Sequence, residues 1–333
     1  ANSKRSVGHI ASPIMTGLFE RLARGNVVIL DGPTSTQLER KGLSNANGAW
    51  SAMSNLDHTD VVQQVHEEYI DAGADIITTN TFATSRLTLE TVGRDAQVRE
   101  INQRAVHAAL RARDAAANGR DVAIAGSISH FPGWDRDTQG NFLNRPQPSE
   151  DQARTNFREQ AEILSESGCD LILLEMMRDV DMAVLAVESA ILTGLPVWIG
   201  FTCWIDDHAV VRIGERRGYG SGPTFEDFLQ RNLPIGGSLL AVMHTAVEQT
   251  SSALEVLRDS SWNGPLGAYA HSSDMMRPDW QFDDIITPPD YLAHARQWVG
   301  MGVQLIGSCC GTGPEHIRVL KENLPDHIAT GES

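Results

Sequence analysis

Eight short apolar runs, each closed by a polar or glycine turn and followed by a helical pattern, constrain this chain more than any other feature. They fall at residues 27–30, 75–79, 122–125, 170–174, 196–201, 238–242, 266–270 and 303–306. The runs are continuous and rich in β-branched residues, rather than alternating apolar with polar. Such runs suit parallel strands covered on both faces. Between them lie amphipathic stretches at 59–73, 152–168, 179–194 and 289–302 that stop at glycines. A unit of helix, glycine, short gap and strand recurs in DAGADIITT, ESGCDLILLE and GMGVQLIG. Eight such βα units predict a closed (β/α)8 TIM barrel rather than an open sheet. No stretch looks like a linker, so residues 1–333 are expected to form a single unit with its core at about 20–325.

Composition narrows the function. With 27 basic and 43 acidic residues the net charge is −16. That argues against nucleic acid or an anionic membrane as partner and leaves small molecules. No apolar run reaches the length of a membrane-spanning helix. The first residues lack the apolar segment of a secretory signal. Four cysteines in 333 residues make no disulfide framework, so a reducing cytoplasm is the expected setting. Two loops that follow strands, 127–150 and 204–225, are long. In a barrel both would sit on the C-terminal face as substrate-shaping lids.

The residues just past the apolar runs are an unusual set: Asp31, Thr79, Glu175, Cys203, His244, His271, Cys309 and Cys310. A barrel gathers all of them at one mouth. The adjacent thiols Cys309 and Cys310 follow a glycine turn, and such a pair suits a soft cation such as zinc. A disulfide between neighbours is strained. The alternative is two small side chains packed as apolar groups. Cys169 precedes its strand, at the opposite end, and reads as core.

Four segments carry a resemblance: LDGPTSTQLERKG at 30–42, AGADIITTNTF at 72–82, DLILLE at 170–175 and GSCCGTGPEHI at 307–317. Through them the chain resembles the homocysteine S-methyltransferases over about residues 20–325. The resemblance implies a (β/α)8 barrel and a Zn2+ ion held by three cysteines. It further implies transfer of a methyl group from an onium donor, sulfonium or betaine-type, to the thiolate of homocysteine, giving methionine. Two of the cysteines match Cys309 and Cys310. The third normally ends a Gly-x-Asn-Cys segment after the sixth strand, and His244 stands there, in AVMH at 241–244. The first motif also departs from the family, with Pro33 where a second glycine is usual.

Zinc accepts two cysteines and a histidine as well as three cysteines. Neutral imidazole in place of a thiolate lowers the ligand charge from about −3 to about −2, counting one unit per thiolate. The metal becomes more electron-poor and an acceptor thiol ionises more easily, as a weaker nucleophile. His244 is expected as the third ligand; read alone, it could instead be a hydrogen-bonded histidine lining the barrel mouth. Cys203 is the rival third ligand, and His271 a more distant one. The resemblance implies that Asp31 and Glu175 hold the amino group of homocysteine, and that Gly32 and Thr79 contact its backbone atoms. Read alone, Asp31 could instead cap the following helix and Glu175 could be a solvated acid. Trp134, Phe131, Trp204 and Tyr219 on the long loops could cage a trimethylammonium donor, or simply pack. The rival functions are the same zinc site acting on a different thiol or methylated donor, a zinc hydrolase, and a barrel that only binds an amino acid. Nothing in the sequence signals an oligomeric state.

Overall fold

The structure, a computed structural model, describes residues 13–43, 47–139, 142–214, 223–233, 235–272 and 284–328. Eight parallel strands form the sheet: β1 (Val28–Ile29), β2 (Ile76–Thr78), β3 (Ala123–Ser129), β4 (Leu171–Met177), β5 (Val197–Phe201), β6 (Leu239–Ala246), β7 (Leu266–His271) and β8 (Val303–Ile306). They pair in the order β1-β8-β7-β6-β5-β4-β3-β2. A parallel bridge between Leu30 and Ile76 joins the two ends of that list. There the Asp31 N–H donates to the Ile76 carbonyl at 3.0 Å and the Asp75 N–H to the Ile29 carbonyl at 2.8 Å. The sheet is thus a closed (β/α)8 TIM barrel, and closure leaves no strand edge exposed.

Outside it run α1 (Thr59–Asp71), α2 (Val98–Ala116), α3 (Glu150–Ser167), α4 (Val180–Ala190), α5 (Phe225–Asn232), α6 (Val247–Arg258), α7 (Pro288–Gly300) and α8 (Pro314–Asn323). Local chemistry sets their ends. Ser149 and Gln152 form a capping box at the start of α3, and Gly168, at φ +105°, ends it in the left-handed conformation. The helices expected at 152–168 and 289–302 therefore begin one or two residues earlier than the apolar periodicity alone suggests.

Along each strand the side chains divide between two cores. Ile76, Leu171 and Leu173 point into the barrel, and their neighbours Ile77, Ile172 and Leu174 pack under the helices. The helix at Pro13–Ala23 adds Leu18 and Leu22 to the interior column, and Arg21 on it pairs with Asp75 at 3.2 Å. It closes the N-terminal end of the barrel.

The recurring Gly-x-Asp before a strand has a structural cause. Asp75 accepts the Ile29 N–H at 2.9 Å, and Asp170 accepts the Ile124 N–H at 2.9 Å. Each carboxylate ties its own strand to the start of the preceding one, at the face opposite the mouth.

At the mouth, β4 and β6 run past the apolar runs read from sequence, to Met177 and Ala246. Each carries a register shift in its extension, between Leu174 and Met177 and between Met243 and Ala246. Bulges re-aim side chains at barrel rims. The two long loops hold antiparallel hairpins, Trp134–Arg136 with Phe142–Asn144 and Cys203–Ile205 with Val211–Ile213.

Candidate metal and substrate site

Cys309 and Cys310 owe their position to the end of β8. A Cβ on Gly307 would lie 2.8 Å from the Leu30 Cβ and 3.1 Å from the Asp31 carbonyl, so only glycine lets this turn lie against the end of β1. The Ser308 N–H then donates to the Asp31 carbonyl at 3.2 Å and the Cys309 N–H to the Ala270 carbonyl at 2.9 Å. The Tyr291 hydroxyl donates to the Gly307 carbonyl at 2.8 Å. Three strands thereby fix the thiols. Cys309 and Cys310 are free thiols, with 3.7 Å between their sulfurs.

His244 completes a triangle with them. Its Nδ1 lies 3.5 Å from the Cys309 Sγ and 3.7 Å from the Cys310 Sγ. Zinc bond lengths of about 2.3 Å to sulfur and about 2.0–2.1 Å to nitrogen, at tetrahedral angles, give edges of about 3.8 Å (S–S) and about 3.6 Å (S–N). The three atoms already sit at the separations one tetrahedral ion requires. Among the described residues they are the one such group of His, Cys, Asp or Glu. The neighbouring Cys310 and burial push the Cys309 thiol well up, so the pair needs a cation to ionise together.

His244 reaches this point through the bulge in β6, with φ +43°, a left-handed conformation uncommon outside glycine. Such conformations persist where the surroundings over-determine them. The His271 ring stands edge-on to it, 4.6 Å between centroids. Burial pushes His271 down to about 3 and keeps it neutral. Cys203 stands apart: it packs in the outer core, where burial pushes its thiol up, and its N–H donates to the Thr245 Oγ1 at 3.0 Å. β5 ends at Phe201, and the hairpin that Cys203 begins turns its side chain away from the barrel axis. Cys169 is core, as expected, and burial pushes its thiol up too.

Beside the triangle lie two carboxylates, Asp31 buried and Glu175 partly buried. Asp31 is no helix cap, since Pro33 holds that position before Thr34–Arg40. Its oxygens accept the Thr78 N–H at 2.7 Å and the Thr78 hydroxyl at 2.8 Å. Burial holds its carboxyl well above the usual range, and Glu175 adds to this. Glu175 accepts the Ser127 hydroxyl and is pushed up to about 7 by burial. An ammonium placed between them would restore the charge balance that burial removes. Gly32 leaves room here, because a Cβ would meet the Ser308 Oγ and the Tyr69 hydroxyl at 2.8 Å. Thr79 also lines the cavity, its Oγ1 accepting the Ser127 N–H at 3.2 Å.

These groups share one cavity of about 700 Å³, its open end included. None of its described lining residues is Lys or Arg. Tyr269 of β7 lines it, and Trp50 and Phe82 are its other aromatic side chains. Phe131 and Trp134 pack behind them, buried, with ring centroids 6.4 Å and 5.7 Å from Trp50. They back the wall instead of forming the cage. Trp204 lies on the second hairpin and does not line the cavity, and Tyr219 falls outside the described residues. Phe82 lies inside a matched motif and could have been found there. Trp50 had no sequence signal; its φ of +50° marks it only in three dimensions. Thr78, Ser127 and Tyr269 were also missed, because nothing local says which strand residue turns inward.

Residues 28–324 match the profile of the family described as homocysteine S-methyltransferase. Over 325 residues the chain is 28% identical to betaine–homocysteine S-methyltransferase 1 of Mus musculus, covering 92% of this chain and 74% of that protein. It is 27% identical to an S-methylmethionine–homocysteine S-methyltransferase of Pongo abelii, covering 92% and 81%. The metallated homocysteine methyltransferase MmuM of Escherichia coli superposes with a TM-score of 0.71 at 23% identity, covering 93% of this chain and 99% of that one. That likeness shows the fold.

Proposed function

The chain belongs to the homocysteine S-methyltransferase family, and from that premise we propose that it transfers a methyl group from an onium donor to the thiol of homocysteine, giving methionine. The observation that carries the reading is the triangle of His244, Cys309 and Cys310, with edges of 3.5, 3.7 and 3.7 Å, opening on a cavity lined by the carboxylates of Asp31 and Glu175. In this reading the three residues hold Zn2+. A zinc ion supplies the positive charge that keeps a thiol ionised near neutral pH.

The chain's own residues do the rest. Asp31 and Glu175 take the ammonium of homocysteine, and Thr78 and Ser127 hold the two carboxylates in place. Gly32 and Thr79 flank the amino-acid end of the substrate. Trp50 and Phe82 offer π faces to the cationic donor. A cavity without Lys or Arg among its described lining favours both cations. The enclosing wall excludes water and holds donor carbon and acceptor sulfur in line. Both partners are small molecules. Among the described residues no helix is long and apolar enough to cross a membrane, and a reducing cytoplasm suits the free thiols.

The test is methionine formation from homocysteine with S-methylmethionine and with betaine, on zinc-loaded protein. Cys310→Ala is expected to lose both zinc and turnover. Full activity in the zinc-free variant, or product formation that needs no thiol, would overturn the reading.

A further inference from the structure

We propose that His244 makes the site selective for a sulfonium methyl donor over a quaternary ammonium one. This rests on the reading that the chain methylates homocysteine at the His244–Cys309–Cys310 centre.

Binding alone does not separate the two donor classes. Both are cations, and the cavity offers both the same Trp50 and Phe82 faces. Reactivity does separate them. Two thiolates and a neutral imidazole leave a zinc dication with no net charge, where a third thiolate would leave one negative unit. The imidazole is built in: the β6 bulge and the left-handed backbone put its Nδ1 at the third corner, and Cys203 faces the outer core. The acceptor sulfur therefore ionises at lower pH and carries less electron density. Nucleophilicity of thiolates falls with pKa at a Brønsted slope of about 0.4–0.5, roughly threefold in rate per unit.

In the transfer the acceptor sulfur loses its proton to solvent, and its lone pair forms a bond to the methyl carbon. The bond from that carbon to the onium atom breaks, and its electron pair leaves on that atom. Nothing is oxidised or reduced. A sulfonium leaves as a thioether, a very weak base, through an early transition state that asks little of the nucleophile. A quaternary ammonium leaves as a tertiary amine, a much poorer leaving group, through a later transition state with more sulfur–carbon bonding. A weakened nucleophile thus slows the ammonium reaction more.

The experiment uses full-length zinc-loaded protein with the simple donors trimethylsulfonium and tetramethylammonium, alongside S-methylmethionine and betaine. The same pairs are run against free homocysteine thiolate as reference. The wild-type ratio of sulfonium to ammonium kcat/KM is expected to exceed the reference ratio, and His244→Cys to narrow it toward the reference. A second readout needs no turnover: calorimetry in buffers of different ionisation enthalpy counts protons released as homocysteine binds. Wild type is expected to release a full proton at a pH where His244→Cys releases only a fraction. A wild-type ratio no greater than the reference overturns the proposal, as do an unchanged ratio and unchanged proton release in a variant that holds one zinc. If His244→Cys fails to hold zinc, the wild-type ratio against the reference decides. Failure of both donor classes to methylate homocysteine instead overturns the proposed function itself.

Discussion

Glu175 shows how one residue can be both costly and useful. Burial pushes its carboxyl up to about 7, so near neutral pH it carries a proton part of the time unless a cation sits beside it. A protonated carboxyl attracts no ammonium, so homocysteine affinity is expected to fall as pH drops through 7. Glu175→Gln should flatten that dependence and raise the KM for homocysteine about 10- to 100-fold, the equivalent of about 1.5–3 kcal/mol for a bond to a charged group. Initial rates against pH and homocysteine concentration check both. His66, on α1, carries the opposite sign. It is fully buried, neither ring nitrogen has a partner among the described residues, and burial lowers it from 6.5 to about 4. Between those values the unfolded chain binds a proton that the folded chain refuses, so stability is lost as pH falls from 6.5 to 4. The loss is about 3 kcal/mol over that window. Denaturant titrations at pH 7 and pH 5 should show a smaller acid loss in His66→Leu than in the parent. Cys309 and Cys310 were legible as a pair from sequence because their spacing and glycine setting are local.

At the scale of elements, the barrel works by dividing its two ends. At the N-terminal face, carboxylates latch neighbouring strands. Asp75 accepts the Ile29 N–H and also takes Arg21 and Lys321, each at 3.2 Å. Asp75→Ala leaves a buried N–H and two cations without their partner, and is expected to cost about 2–4 kcal/mol of stability with little change in zinc content. Thermal denaturation and metal analysis separate the two effects. At the C-terminal face, the strands give up regularity for aim. β4 and β6 end in bulges, and Met176 and His244 there adopt positive φ. The apolar runs that mark both strands in the sequence end at 174 and 242. The residues beyond are bulged and no longer follow the apolar run.

For the whole molecule, closure is the decisive event. It takes the ends of six of the eight strands, scattered from Asp31 to Cys310, and makes one cavity of them, while the Pro13–Ala23 helix seals the other end. Removing residues 1–23 exposes the sites of Leu18 and Leu22. At about 1.5–3 kcal/mol per buried side chain, it should lower stability by about 3–6 kcal/mol. Comparing denaturation midpoints of truncated and full chains checks this. Sequence alone determined the strand count, the closed βα architecture and six of the side chains that line the mouth, Asp31, Thr79, Glu175, His244, Cys309 and Cys310, while Cys203 and His271 do not line the cavity. Those follow from local periodicity and from one topological rule. Only the tertiary structure decided that His244 and not Cys203 meets the thiol pair, and that Trp50 and Phe82 rather than Phe131 and Trp134 face the cavity. Those outcomes depend on where a bulge turns a side chain and on how loops far apart in sequence stack, which no local pattern encodes.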